Sequence, residues 1–265
     1  MVLTCIILDR DVEGQKSGRQ ANSNRNVENN KEEEALQKLD HPNVVKLYHV
    51  ESDLDFRYYA LELCQLSLSQ LFNGDEAQKN YREKMPPEEE VCLQLAKGLA
   101  HIHGKRLIHR NIKPENVLIW VDSTGEKVLM KWSGFGLSKQ VNERGSHSMS
   151  GVRGTHNWMA PEILKIMTEE NVGKTTSPDI RPRGTVKSDV FSAGLVFGYY
   201  LLGGDHPFGS AINVPANILK NEPVILRKIK QQHPMLHAII MEMLKANPNE
   251  RISSADVVSR INKGE

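Results

Sequence analysis

The stretch His109-Arg110-Asn111-Ile112-Lys113-Pro114-Glu115-Asn116 decides how the rest of the chain reads. It follows a helix-patterned run ending at His103 and leads into the apolar Val117-Leu118-Ile119. Polar side chains at fixed spacing, held between a helix and a short hydrophobic strand, suit a loop that carries binding or catalytic groups. Upstream, Pro87 to His103 has Val91, Leu95, Leu99 and Ile102 on one face, and Pro86-Pro87 with Glu88-Glu89-Glu90 marks a helix start. Downstream, Val117 to Val121 and Lys127 to Trp132 read as strands joined by the turn Asp122-Ser123-Thr124-Gly125.

Further out, Met1 to Leu8, Val44 to Val50 and Phe56 to Leu63 read as strands, with a helix from about Asn30 to Leu39 that His41-Pro42-Asn43 ends. Residues 11 to 29 lack apolar periodicity and read as a loop. Ser67 to Phe72 reads as a short helix, and Val186 to Leu202, apolar nearly all round, as a buried one. His237 to Ala246 and Ser253 to Ile261 are expected to be helical, and Lys165 to Lys187, with Pro178, Pro182, Gly173 and Gly184, a polar loop. A strand-rich first quarter and a helical remainder give an α+β chain with two unequal lobes, expected at 1–63 and 64–265.

The chain has 265 residues, enough for a sizeable core, with a formal net charge of +1. No bulk attraction to nucleic acid or to a membrane surface is implied, and no nucleic-acid partner is expected. Three scattered cysteines make neither a disulfide framework nor a zinc site. A reducing, cytoplasmic setting is expected, with no membrane segment.

The order of the 109–116 stretch resembles the catalytic loop H-R-D-L-x-x-x-N of eukaryotic protein kinases. Other segments strengthen the resemblance. It places Glu32 at the ion-pairing glutamate of helix C and Leu61-Glu62-Leu63-Cys64 at the gatekeeper and hinge that receive adenine, with Leu118 in the same cleft. Ser133-Gly134-Phe135-Gly136 stands where the family has Asp-Phe-Gly, and Ala160-Pro161-Glu162 closes the activation segment. Asp189 belongs to a D-x-x-S-x-G run on the buried helix, and Arg251 falls where a late arginine pairs with Glu162. The resemblance also implies a packed stack of Leu47, Leu36, Phe135 and His109 standing on Asp189, with Arg110 beside it. The phrasing of 151–162, 189–194 and His206-Pro207-Phe208-Gly209 is similar to the inositol-requiring kinase/endoribonucleases that sense unfolded proteins. In that subfamily a ribonuclease domain follows the kinase lobe; too little sequence follows Ile261 to encode one, so RNA cleavage is not expected.

The departures fall on the chemistry. In the family the loop Asp takes the substrate's proton, and the Asn and the Asp-Phe-Gly carboxylate hold magnesium. Here the base position is Asn111, whose amide cannot accept a proton near neutral pH, and the metal position is Gly134, which carries no ligand. Lys113 and Asn116 remain, Asn116 as a weak metal ligand. No glycine-rich loop is legible around Gly14 and Gly18, and Lys16 lies outside any apolar strand. Loss of a general base alone lowers a rate by about 10²–10⁴-fold. The expectation is a pseudokinase working by protein binding, with a related active kinase or a second copy as partner and with ATP and magnesium bound weakly or not at all. The alternatives are a serine/threonine kinase with residual activity and a fragment of a longer active kinase.

Overall fold

Helix α4 (Glu88–Gly104) is the beam on which the site is built. Three glutamates occupy its first turn, favourable at the positive end of the helix dipole, and Val91, Leu95, Leu99 and Ile102 are all buried. In this computed structural model, residues 3–9, 32–52, 56–142, 146–147, 155–171 and 184–264 are described.

The chain begins with strand β1 (Leu3–Asp9), followed by helix α1 over 32–38 and strands β2 (Leu47–Ser52) and β3 (Phe56–Glu62). These strands form one antiparallel sheet in the order β1-β3-β2. Ala35, Leu36 and Leu39, spaced at helical intervals, are buried. Next come β4 (Leu66–Ser67), α2 (Leu68–Asn73) and α3 (Glu76–Lys79), ahead of α4. Ser67 and Gln70 form a reciprocal capping box that fixes the start of α2.

After α4, β5 (Leu107–Ile108) leads through the 109–116 loop to the hairpin β6 (Val117–Val121) and β7 (Val128–Trp132), which β4 extends to three strands. The hairpin lies on α4: Trp132 Nε1 donates to Leu95 O at 2.9 Å, and Met130 N to Gln94 Oε1 at 2.8 Å. Gly98 permits this approach, since a Cβ there would come within 2.6 Å of Asn43 O and 2.8 Å of the Trp132 ring. Short strands β8 (Lys139–Gln140), paired with β5, and β9 (Ser146–His147) precede α5 (Pro161–Asn171) and β10 (Gly184–Thr185), which pairs with β9. Helix α6 (Val186–Leu201) is buried from Ser188 to Tyr199, and α7 (Val214–Lys220), α8 (Pro234–Met243) and α9 (Ser254–Lys263) complete the large lobe. The architecture is a bilobal, kinase-like α+β fold.

Several expected boundaries move. Val44 and Val45 belong to no strand of the small sheet. They join β7 instead, Val45 N donating to Trp132 O at 2.9 Å, because an apolar run cannot reveal which strand it will meet. The polar loop expected from Lys165 to Lys187 is helix α5 as far as Asn171, and α6 already begins at Val186. The helix expected from His237 starts at Pro234, a first-turn proline, and ends at Met243. Helix α7, whose seven residues are too few to show a period, was not expected. Gly14, Lys16 and Gly18 lie outside the described residues.

Candidate functional site

The 109–116 loop is fixed from below by one carboxylate. Asp189 on α6 accepts His109 N at 2.7 Å and Arg110 N at 2.9 Å, and His103 Nε2 lies 3.1 Å away. Burial alone would raise its pKa, yet these donors and the neighbouring histidines hold it below the usual carboxylate range. Arg110 takes a left-handed conformation, φ 68°, which turns the chain sharply into the loop. Its guanidinium donates to Leu137 O at 3.3 Å.

His109 is fully buried. Its Nε2 faces Ser133 O at 2.9 Å while Nδ1 accepts Asn111 N at 3.2 Å, which assigns the neutral tautomer with the proton on Nε2. Burial, which lowers its pKa, favours the same form. Its ring lies 4.7 Å from that of Phe135. Leu36 is buried in the same core cluster and Leu47 packs half-buried against it.

At the positions expected to hold base and metal, 111, 116 and 134, the structure has a hydrogen-bonded mesh built on amides. Asn116 Nδ2 donates to Asn111 O at 2.7 Å, and Asn116 O accepts both Ser133 N, at 2.9 Å, and Ser133 Oγ, at 3.1 Å. Asn111 Nδ2 lies 3.5 Å from Gly134 O. Gly134 has φ +77°, and a Cβ there would stand 2.7 Å from both Cγ and Oδ1 of Asn116. The carboxamide of Asn116 thus lies where a side chain at 134 would emerge. Magnesium prefers octahedral oxygen with carboxylates among its ligands. Side-chain amides at 111 and 116, with no carboxylate at position 111 or 134, do not fit it, and no group of three or more His, Cys, Asp or Glu suited to a metal occurs among the described residues. Lys113 Nζ donates to Thr155 Oγ1 at 3.3 Å.

Glu32 on α1 reaches this mesh from the small lobe. Its carboxylate accepts the Phe135 N–H, and burial pushes its carboxyl up from the ordinary value. Strand β1, LTCIILD, offers no lysine.

Along the segment expected to be the hinge, Leu61 is buried, Leu118 half-buried, and the Cys64 thiol is pushed up to about 12, chiefly by burial. Glu62 pairs with Lys131, Nζ to Oε2 at 2.9 Å, and Lys131 also donates to Pro42 O at 2.7 Å and lies 5.7 Å over the Trp120 ring. Sequence reasoning missed Lys131. A lysine between Met130 and Trp132 in an otherwise apolar strand was the signal that it would be buried with a partner. Far from the cleft, Arg251 makes a two-pronged contact with Glu162, at 2.9 and 3.0 Å, while its ring-facing side lies 5.0 Å over Phe191.

The architecture and this loop together define a protein-kinase fold, and residues 13–261 match the family model "Protein kinase domain". The chain belongs to the protein kinase domain family. It is 37% identical over 236 residues to the human serine/threonine-protein kinase/endoribonuclease IRE2, covering 86% of this chain and 24% of that protein. It is 34% identical over 226 residues to the Caenorhabditis elegans serine/threonine-protein kinase/endoribonuclease ire-1, covering 83% and 21%. Against the Schizosaccharomyces pombe sensor for unfolded proteins in the ER, ire1, identity is 32% over 232 residues, covering 82% and 21%. The chain thus spans about a quarter or less of the length of these relatives. Among the described residues no helix is long and apolar enough to cross a membrane.

Proposed function

We propose that this chain is a catalytically impaired kinase fold, a pseudokinase of serine/threonine type, that acts by binding other proteins in signalling related to the unfolded-protein response. The observation that supports this most is the state of the loop: its scaffolding is assembled on Asp189, while positions 111 and 134 offer an amide and no side chain. Packing depends on shape and volume, whereas phosphoryl transfer depends on particular charged atoms. Without a proton acceptor and without metal to neutralise the transferring group, turnover falls far below the roughly 1–100 s⁻¹ of kinases. The small lobe comprises 1–63 and the large lobe 64–265, with Leu61 to Cys64 as the adenine-facing edge and Leu36, Leu47, Phe135 and His109 as the packing stack.

The partner that best fits is a related active kinase or a second copy of this chain, in the cytoplasm. The relatives' names, serine/threonine-protein kinase/endoribonuclease and sensor for unfolded proteins in the ER, support a reading in that signalling context. A thermal-shift titration with ATP, with and without magnesium, tests it. The expected result is no magnesium-dependent rise in Tm at millimolar ATP; a magnesium-dependent rise would revive the enzyme.

A further inference from the structure

A half-enclosed cavity of about 260 Å³ opens between helix α1 and the β5–β8 pair, and none of residues 61–64 or 109–116 lines it. Ala35 on α1 and Leu107 on β5, both buried, form its apolar part. Glu34 and Lys38, four residues apart, lie one turn apart on the same face of α1, so that wall carries a negative and a positive charge. Gln140 on β8, with its amide turned so that both ends are satisfied, accepts Lys38 Nζ at 2.9 Å and donates to Arg106 O at 3.2 Å, which holds the ammonium at the cavity wall. Lys139, also on the wall, is already partnered. Ser138 lines the cavity and is 2% exposed, and its hydroxyl has no hydrogen-bond partner among the described residues.

An unsatisfied buried hydroxyl is costly, and a bound acceptor relieves it. The volume falls below the roughly 300–1,000 Å³ of sites for drug-sized molecules, which suits a ligand of amino-acid size. An ammonium has three donors, of which Gln140 takes one, so Lys38 can also hold a carboxylate. We propose that this cavity binds a free α-amino acid with an aliphatic side chain. Its carboxylate lies between Lys38 and the Ser138 hydroxyl, its ammonium on Glu34 and its side chain against Ala35 and Leu107. Both charges of such a zwitterion sit on one carbon, and wall groups one helical turn apart can flank them. A simple anion would be repelled by Glu34 at the same wall. Bound there, the amino acid bridges α1 and β8.

Isothermal titration of the whole chain with leucine, with leucinamide, which lacks the carboxylate, and with 4-methylpentanoate, which lacks the ammonium, tests it. Leucine is expected to bind roughly 3–5-fold tighter than either analogue, the contribution of one ion pair open to water on one side. Lys38→Met removes the preference over leucinamide, and Glu34→Gln removes the preference over 4-methylpentanoate. Both side chains are exposed, so the fold tolerates either change. Ser138→Ala weakens leucine while raising the Tm of the unliganded chain, because it deletes an unsatisfied buried group. Binding of either analogue as tight as that of leucine overturns the proposal, as does a preference that survives the matching variant. A lower Tm for Ser138→Ala, or no measurable binding of leucine, overturns it too.

Discussion

Lys131 Nζ lies 2.9 Å from Glu62 Oε2, a nearly buried ion pair that ties the end of β3 to β7. Because Lys131 also donates to Pro42 O, one ammonium links three segments that are distant in sequence. Removing one partner of such a pair leaves a buried charge alone. Lys131→Met is therefore expected to lower stability by about 3 kcal/mol. The double variant Lys131→Met with Glu62→Leu should recover much of that loss. Urea unfolding of the three proteins checks both.

Gly134 combines φ +77° with the close approach of Asn116. Gly134→Ala should destabilise by about 1–2 kcal/mol through the left-handed backbone alone, and further by displacing the Asn116 carboxamide. Asn116→Gly in the same chain should recover the second part, a non-additivity measured by a double-mutant cycle. Gly134→Asp meets the same obstacle, so it should produce no magnesium-dependent Tm shift unless Asn116 moves.

Arg251 fills its site as a planar fork, with two nitrogens on Glu162 and further hydrogen bonds to Lys187 O, Lys245 O and Ala246 O. An ammonium cannot reproduce that geometry. Arg251→Lys is expected to cost about 2–3 kcal/mol, close to the loss from Glu162→Gln. Comparing the two unfolding midpoints decides whether the fork or the charge matters more.

His206 gives the fold a pH dependence of known sign. Burial lowers its pKa from 6.5 to about 4, and its Nε2 faces Asn157 O at 2.9 Å. The folded state therefore holds the neutral ring while the unfolded chain takes up a proton below 6.5. The contribution is complete above pH 6.5 and is lost as pH falls toward 4, on the order of 3 kcal/mol in all. His206→Gln should flatten the stability profile between pH 6.5 and 4 relative to the parent, read from unfolding midpoints across that range.

The sequence made the fold legible wherever a period or a turn spoke locally: α4 through its apolar face and acidic start, and β6–β7 through their turn. It failed where structure is decided by a distant partner. Val44 and Val45 read as the start of a strand running to Val50 and instead meet β7, and Lys165 to Asn171, expected within a polar loop, belongs to α5. Of the site, the spacing of 109–116 with Asp189 identified residues that do come together. The placement of Asn116 over Gly134 and the burial of Lys131 depend on backbone conformation and tertiary packing, which no motif encodes.

Transfer of labelled phosphate from ATP–magnesium, by the purified chain to itself or to a generic protein substrate, tests the central claim most directly. Incorporation no higher than in a Lys113→Met control is expected. Incorporation clearly above background that Lys113→Met abolishes would contradict it.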